Sequence, residues 1–490
     1  MPFDEENRGD PFQGDFPGWA DDEHRRRLGT AVQRQTAELA QLRREPGLRQ
    51  SLLGTLDQRR HPQQPGDGIV RFDYLPTAEG FDSLLVRGEL LLTAESYGAG
   101  TGQGAQAGQG AHSGQGGQSG QGGHGAQGRH AGQAGTVRDL LAARGLTETD
   151  VGSADLRGRI VRLTHPTMTG EELSSLAREL RSLGHAAAVC NITPTGPVSK
   201  AIGGPEPTAP PPGSSPDGPC PGTPCQVAIV DTGITPEMRA DGWLAAVPRG
   251  ADTDPLDAFP TPGGDGMLDL DAGHGTFVAG IIQQTAPDAD IRVYRAIDSD
   301  GIGSEIEVAG AMIQAVRDGA KIVNLSVGCQ SQDDVPPIAL QAALDVIAEI
   351  QQEEGREVII VAAAGNFGDE RPCWPAAFDQ VVAVAAVDAN LAPVAWSSRG
   401  SWVTCSTVGE GQRSTFVPGQ EATPDGQHLN QFGQDSWAVW SGTSFSAPQI
   451  AGALARMHNG QPLRQALDQL LATGQPVPGF GQALLILQPV

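Results

Sequence analysis

The C-terminal half of this sequence predicts an α/β domain with a mostly parallel sheet covered by helices on both faces, and three observations predict it. Short, continuously apolar runs recur at residues 226–230, 291–295, 321–325, 358–362 and 381–387. Helical segments at 305–318 and 335–353 lie between some of them. A strand that is apolar along its whole length is buried on both faces, and parallel strands need long crossovers of this kind. Finally, residues able to do chemistry stand where these runs end or where helices begin, which is where open α/β sheets carry their sites.

The rest of the 490 residues supplies a second structured region and its connections. Residues 1–20 are acidic and rich in Gly and Pro, a composition that predicts disorder. Over 21–54, Leu28, Val32, Leu39, Leu42, Leu48 and Leu52 recur among charges at helical spacing. The apolar stretches 69–74 and 84–92 read as a hairpin, so 1–97 forms an N-terminal helix and hairpin region. Residues 98–135 are almost all Gly, Gln, Ala, Ser and His, a flexible linker with nothing large to bury; its His112, His124 and His130 are spaced irregularly and read as composition. Residues 136–202 then read as a small α/β module, with helices at 136–144 and 170–183 and strands at 160–165 and 186–192. Thr169 and Glu172 form a capping box at the second helix. A Pro-rich linker, 203–224, separates the module from the α/β domain at 225–490.

Charge narrows the function. Lys and Arg total 33 against 58 Asp and Glu, a formal charge of −25 that repels phosphate backbones and anionic bilayers. Neither nucleic acid nor membrane is therefore expected as a partner. The acidic opening has no basic and apolar signal segment, and the expectation is a cytoplasmic protein. Cys190, Cys220, Cys225, Cys329, Cys373 and Cys405 are too sparse for a disulfide scaffold and read as free thiols; Cys220 and Cys225 lack a second pair that would complete a zinc site. Asp252, Asp254, Asp257, Asp265, Asp269 and Asp271 crowd one stretch without the regular spacing of a calcium loop. They read as a solvated loop, and no metal ligand or cofactor is assigned. The sequence specifies no oligomeric state.

Three motifs carry the chemistry. In VAIVDTGI an apolar strand delivers Asp231 into a turn. In GHGTFVAGI, His274 precedes a helix whose Ala279 and Gly280 allow close packing. In SGTSFSAPQIAG, Ser444 stands at a glycine-containing turn that runs into a helix, with Pro448 suited to its first turn. A hydroxyl becomes nucleophilic near neutral pH when a base lies beside it and an orienter holds that base. Amides at a helix start favour the oxyanion that then develops.

Together the motifs, in the order Asp, His, Ser, resemble the subtilase family over residues 226–458. The resemblance implies a subtilisin-like three-layer α/β domain and a serine endopeptidase acting on protein or peptide substrates. Ser444 would be the nucleophile, His274 the base and then acid, and Asp231 the orienter. Asn366, in VIIVAAAGNFG, matches the family's oxyanion asparagine. Ser326, Val327 and Gly328 match one wall of the primary specificity pocket, and Ala363, Ala364 and Gly365 the other. Gly301, Ile302 and Gly303 match the edge that pairs with extended substrate, and Phe367 falls at the pocket floor, suggesting an uncharged residue before the scissile bond. Phe277 stands where the family usually has a second His, which implies altered packing. Cys329 and Cys373, each just after a pocket wall, could be neighbours as a disulfide or as buried thiols. Many members bind calcium, so structural calcium with unassigned ligands stays open. The position of 136–202 resembles that of the family's pro-region, with an independent substrate-recognition domain as the alternative. For the whole chain the alternatives are a maturation or signalling protease with one partner, or a silent peptide-binding scaffold.

Overall fold

The computed structural model describes residues 22–60, 69–76, 83–98, 136–195, 203–216, 224–260, 263–422 and 428–489. The expected disorder at 1–20, the linker histidines and Cys220 lie outside the described residues. Two helices come first, α1 (Asp22–Arg44) and α2 (Pro46–Arg60). They part at Glu45 because Pro46 fits a first turn but has no N–H for a helix interior. Leu28, Leu39, Leu42, Leu53 and Leu56 are the buried leucines of this pair.

The hairpin expected next is β1 (Phe72–Leu75) against β2 (Ser83–Thr93), in antiparallel register Phe72 to Val86. After the short α3 (Ala94–Tyr97) come α4 (Val137–Ala143), β3 (Thr147–Thr149), β4 (Ile160–Thr164), α5 (Gly170–Ser182) and β5 (Ala187–Asn191). Capping boxes close the first turns of α4, with Thr136 and Asp139, and of α5, with Thr169 and Glu172.

The hairpin and the module were expected as separate regions, and the structure corrects that division. Leu90, Leu91 and Leu92 of β2 pair antiparallel with both β4 and β5, so β2 lies between them in a single five-stranded sheet. Strands β4 and β5 are consequently parallel, joined by α5, and split by a strand from before the Gly-rich stretch. Both faces of β2 are apolar because both are covered. Leu85, Leu90 and Leu92 face α5, while Leu84, Val86 and Leu91 face the C-terminal domain. The change of parity between 86 and 90 is made at Gly88, whose φ of 75° produces the irregularity in pairing; a Cβ there would lie 2.4 Å from the carbonyl oxygen of His165.

The Pro-rich stretch is also corrected. Within it, β6 (Glu206–Thr208) is a strand of the C-terminal domain rather than part of a free linker. Pro207 is tolerated because β6 lies at the edge of its three-stranded sheet.

The domain itself is built on β7 (Gln226–Asp231), α6 (His274–Thr285), β8 (Asp290–Arg295), α7 (Glu305–Arg317), β9 (Ile322–Leu325), α8 (Ile338–Glu354), β10 (Ile359–Ala363) and β11 (Val381–Val387). It continues through β12 (Cys405–Val408), β13 (Gln412–Thr415), β14 (Gly419–Ala422), β15 (Leu429–Phe432), β16 (Trp437–Trp440), α9 (Ala447–His458), α10 (Leu463–Leu471), β17 (Gln475–Val477) and β18 (Gly481–Leu484). The main sheet runs β17-β18-β12-β11-β10-β9-β7-β8, parallel except for β17. Alternation hidden inside its apolar strands divides the core in two: Ala228 and Val230 point to the layer of α7 and α8, and Val227 and Ile229 to that of α6 and α9. Helices α6 and α9 approach closely at Gly452, where a Cβ would lie 2.7 Å from that of Thr285. The three-layer α/β domain is as expected.

The five described cysteines are free and buried, so Cys329 and Cys373 form no disulfide; the neighbour across from Cys329 is Trp374, through paired backbone hydrogen bonds. Among the described residues no helix is long and apolar enough to cross a membrane.

Candidate active site

The sheet order explains how residues far apart in sequence meet. Asp231 is the last residue of β7 and His274 the first of α6, the helix that follows β7 on the chain. Their approach depends on glycine: a Cβ on Gly275 would lie 2.3 Å from the carbonyl oxygen of Gly233. His274 Nδ1 is 2.7 Å from Asp231 Oδ1, and both residues are buried. Oδ1 also accepts from the N–H of Thr232 at 2.8 Å, whereas Oδ2 is buried without a hydrogen-bond partner. Burial by itself lowers the imidazole's pKa, but the charge and hydrogen bond of Asp231, with Asp271 and Asp254 behind it, outweigh burial and raise it above the ordinary histidine value.

Asp254 positions the pair. Its Oδ2 accepts from Thr232 Oγ1 at 3.0 Å and from the N–H of Gly273 at 2.9 Å, while Thr232 Oγ1 accepts from the N–H of Gly275 at 3.1 Å. The end of β7 and the start of α6 are thereby locked together. This overturns the solvated-loop expectation for much of the acidic run: Asp254, Asp269 and Asp271 are buried. Asp254 and Asp269 serve backbone N–H groups that need acceptors there, Leu256 finding one in Asp254, and Ala258 and Phe259 in Asp269. Among the described residues no group of three or more His, Cys, Asp or Glu is arranged to hold a metal ion.

Ser444 lies in a short 3-10 turn, Thr443–Phe445, leading into α9, with Pro448 in the first turn as expected. Its hydroxyl donates to the carbonyl of Ser326 at 3.1 Å rather than to the imidazole. Ser326 Oγ in turn donates to the Ser444 carbonyl at 2.8 Å and accepts from Asn324 Nδ2 at 3.0 Å, tying the turn to the end of β9. Asn366, just beyond β10, accepts through Oδ1 from the N–H and hydroxyl of Thr443 at 3.0 and 2.9 Å. That fixes the flip of its amide and aims Nδ2 toward Gly442, where a Cβ would lie 3.6 Å away. Phe277 meets Phe445 at 4.6 Å and Trp440 at 5.8 Å between ring centroids. The same two rings flank His274 at 5.4 and 5.6 Å, so the aromatic at 277 is part of the wall behind the imidazole.

The expected substrate edge is occupied by the chain itself. Beyond β5, Ile192 bridges antiparallel to Ser304, the N–H of Thr193 donates to Gly303 O at 2.9 Å, and that of Thr195 donates to Gly301 O at 3.4 Å. From the opposite bank, the N–H of Gly328 donates to the carbonyl of Pro194 at 3.0 Å. Residues 193–195 therefore lie between the 301–303 edge and the wall at Gly328, bonded by backbone to both. Close packing explains the glycines: a Cβ on Gly301 would lie 2.5 Å from Thr195 Oγ1, and one on Gly303 2.4 Å from Ala296 O. Ile302 points away, into the core. Ala363, Ala364 and Val327 are buried behind the walls, and Cys373 Sγ packs where Cβ atoms of Gly328 and Gly365 would be, at 2.6 and 2.9 Å. Phe367 stacks beside Gly365 and lines a cavity with Leu42, Leu53, Ile192 and Pro194.

Sequence reasoning missed Asp254, Thr232 and Thr443, which act by holding the named residues. It also missed Gln35, in α1, whose side chain is buried beside Ser441; a lone glutamine in an amphipathic helix carries no signal.

A site of this composition on this sheet defines a class. The sequence model of the Subtilase family matches residues 222–469, and the chain belongs to that family. It is 30% identical over 273 residues to the thermophilic serine proteinase of Bacillus sp. (strain AK1), covering 52% of this chain and 58% of that one. It is 30% identical over 270 residues to thermitase of Thermoactinomyces vulgaris, covering 52% and 83%. Among solved structures, the epidermin leader peptide processing serine protease from Staphylococcus aureus aligns with 72% of this chain and 94% of its own, at 19% identity and a TM-score of 0.45. The match thus spans less than two thirds of the Bacillus proteinase.

Proposed function

We propose that the chain is a serine endopeptidase in which Ser444, His274 and Asp231 form the catalytic triad and Asn366 the side-chain arm of the oxyanion hole. One observation carries the reading: the peptide 193–195 is hydrogen-bonded from both banks into a groove, one bank of which, through Ser326, is tied to Ser444. Main-chain pairing of this kind suits extended substrates of varied sequence. With the Nδ1 proton donated to Asp231, Nε2 of His274 is left as the base. For attack, the Ser444 hydroxyl must exchange the Ser326 carbonyl for that nitrogen; it then adds to the substrate carbonyl, its proton passing to His274 and on to the leaving amine. Asn366 Nδ2 and the helix-start amides stabilise the oxyanion. Water releases the acyl group by the reverse sequence.

In this reading the sheet of β1–β5 is an intramolecular inhibitor of the pro-region kind, and 193–195 is its inhibitory segment. Apolar Cys373 and Phe367 around Gly365 support an uncharged residue ahead of the scissile bond. Five buried thiols suit a reducing, cytoplasmic setting.

The test is fluorophosphonate labelling together with mass-spectrometric mapping of cuts in a peptide library, before and after proteolytic removal of the N-terminal region. Labelling at Ser444 with cuts after removal is expected. A protein that neither labels nor cuts in either state is a binding scaffold, and the proposal is overturned.

A further inference from the structure

The helix that follows the proposed nucleophile begins with two carbonyls served by side chains. Pro448 has no N–H to offer the carbonyl of Ser444 four residues back, and the Ser326 hydroxyl donates there at 2.8 Å. The N–H of Gln449 turns to the carbonyl of Ser446 at 3.2 Å. The carbonyl of Phe445 accepts from the Gln449 side chain, whose Nε2 lies 2.7 Å away. The same nitrogen donates to Val408 O, at the end of β12, at 2.8 Å. Across the amide, Oε1 accepts from the N–H of Leu487 at 3.2 Å and from Thr407 Oγ1 at 3.4 Å. A side-chain amide has two donors and two acceptor sites, so all four places on Gln449 are filled, and the residue is fully buried.

Gln449 completes a row of bonds from one stretch, residues 407–411, to both sides of Ser444. Before it, the N–H of Gly442 donates to Gly409 O at 2.9 Å, and Ser441 Oγ accepts from the N–H of Gly411 at 3.0 Å. After it, Ser446 Oγ donates to Thr407 O at 3.2 Å, and Gln449 reaches Val408. Phe445 is the link on which the row acts. Its peptide adjoins Ser444, and its ring centroid lies 5.4 Å from that of His274. A shift of Phe445 therefore moves the hydroxyl and the wall behind the imidazole together. The filled amide resists such a shift, because any displacement strands a buried donor or acceptor.

We propose that Gln449 is a positioning residue for this reaction, setting Ser444 against His274 through Phe445 while touching no substrate. The assignment rests on reading Ser444 as the nucleophile of a peptidase. Without the amide donors the carbonyls of Phe445 and Val408 are no longer tied to each other, and the turn samples placements in which Ser444 and His274 do not meet. A displacement of about 1 Å at a reacting group can cost about 10²-fold in rate. The effect falls on turnover; peptide affinity belongs to the 301–303 edge and Gly328, which Gln449 does not touch.

The experiment compares the unsubstituted full chain with Gln449→Met, which fills the same space and removes all four bonds. A control, Leu454→Ala, opens a cavity farther along α9 and destabilises the helix without touching the turn. Each is assayed in the state of the N-terminal region in which the unsubstituted protein cuts peptide, and fluorophosphonate labelling taken to its end point counts the folded sites. Gln449→Met should lower kcat per labelled site by roughly 10–100-fold with KM within about two-fold, whereas Leu454→Ala should lower the melting temperature and leave kcat per site within about two-fold. Should Gln449→Met give no folded sites, Thr407→Val takes its place: it removes only the bond to Oε1 and should lower kcat per site about three-fold at unchanged KM. A kcat per site equal to that of the unsubstituted protein, or a loss that appears in KM, overturns the assignment and leaves Gln449 a packing residue. Failure of the enzyme reading is separate, since it would appear in the unsubstituted protein, as neither labelling nor cutting in either state.

Discussion

Two segments of this chain lie along the C-terminal domain, one an edge strand and one bonded by backbone without forming a strand, and they are held by opposite means. Residues 193–195 sit between two walls and are bonded by backbone from both, with the five-stranded sheet behind them. Strand β6 pairs on one side only, with β16, and side chains hold the rest of it: Arg27 and Arg34 of α1, with Gln35 on the preceding Gly204, and Asn430 of β15 on Glu206. A segment gripped by main chain on two sides tolerates many sequences, as a substrate groove must; one held by particular side chains does not. In the reading proposed above, the difference marks the backbone of 301–303 and 328 as a first bank, suited to peptides of varied sequence, and β16 as a private fastening.

The largest expected effect breaks the chemistry that gives the first bank its meaning. Ser444→Ala should lower peptide turnover by about 10⁶-fold and His274→Ala by nearly as much, since nucleophile and base act as a unit. Asn366→Ala should leave peptide affinity nearly unchanged and lower turnover by about 10²–10³-fold. Steady-state kinetics on a peptide cut by the released enzyme checks both. A Ser444→Ala protein with wild-type turnover would remove the distinction between the banks altogether.

A smaller effect sharpens the comparison directly. Thr193→Pro removes both the N–H and the Oγ1 donated to Gly303 O, of which the backbone bond alone is worth about 1 kcal/mol net, and should weaken docking of the N-terminal region at least about five-fold. Pro207→Ala, at the edge strand, restores a donor where none was used and should change docking less than two-fold. Equal effects would mean that the two segments are held alike.

The legible parts of this molecule are local. Asp231, His274 and Ser444 each announce themselves within a few residues, because a strand end, a helix start and a turn carry their own glycines and small residues. The capping box at Thr169 is legible for the same reason. What sequence could not supply is pairing at a distance. Nothing in 84–92 says that this strand will insert between β4 and β5, since the chain between them is Gly-rich and featureless. Strand β6 was hidden by composition, Pro-rich sequence being common to linkers and edge strands alike. The acidic run was misread because charge predicts solvent unless unpaired N–H groups wait nearby, and those of Ala258, Phe259 and Gly273 become visible only in the fold.

The proposed base adds a pH test. Because its folded-state environment raises the pKa of His274, the imidazole stays protonated to a higher pH than an ordinary histidine. The acid limb of kcat/KM should therefore lie above the usual value of about 6.5. Asp271→Asn, removing one of the charges that raise it, should move the limb down. A limb that stays in place would mean that Asp271 is electrostatically silent.

The smallest effect concerns how firmly the first bank is closed. Glu305, in the first turn of α7, is buried at the junction: Oε1 accepts from the N–H and Nδ2 of Asn191, both at 2.8 Å, and Oε2 from the N–H of Ala339 at 2.8 Å. Burial nevertheless outweighs these donors, and with Glu89 adding repulsion it pushes the carboxyl from 4.5 up to about 7. Undocking withdraws Asn191 and returns the carboxyl to water, so its pKa falls back toward 4.5. The docked state thus has the higher pKa, and docking takes up a proton between those two values. Docking should be tightest below about pH 4.5, weaken by at most about ten-fold per unit as pH rises toward 7, and level off above it. In the Ser444→Ala protein with a protease recognition sequence placed between Thr195 and Gly203, retention of the N-terminal region after cutting at pH 5, 6, 7 and 8 measures the slope, and Glu305→Gln, which cannot titrate, should flatten it whatever its effect on the level. Retention that instead strengthens with rising pH would mean that the three hydrogen bonds to the charged carboxylate outweigh the cost of burying it.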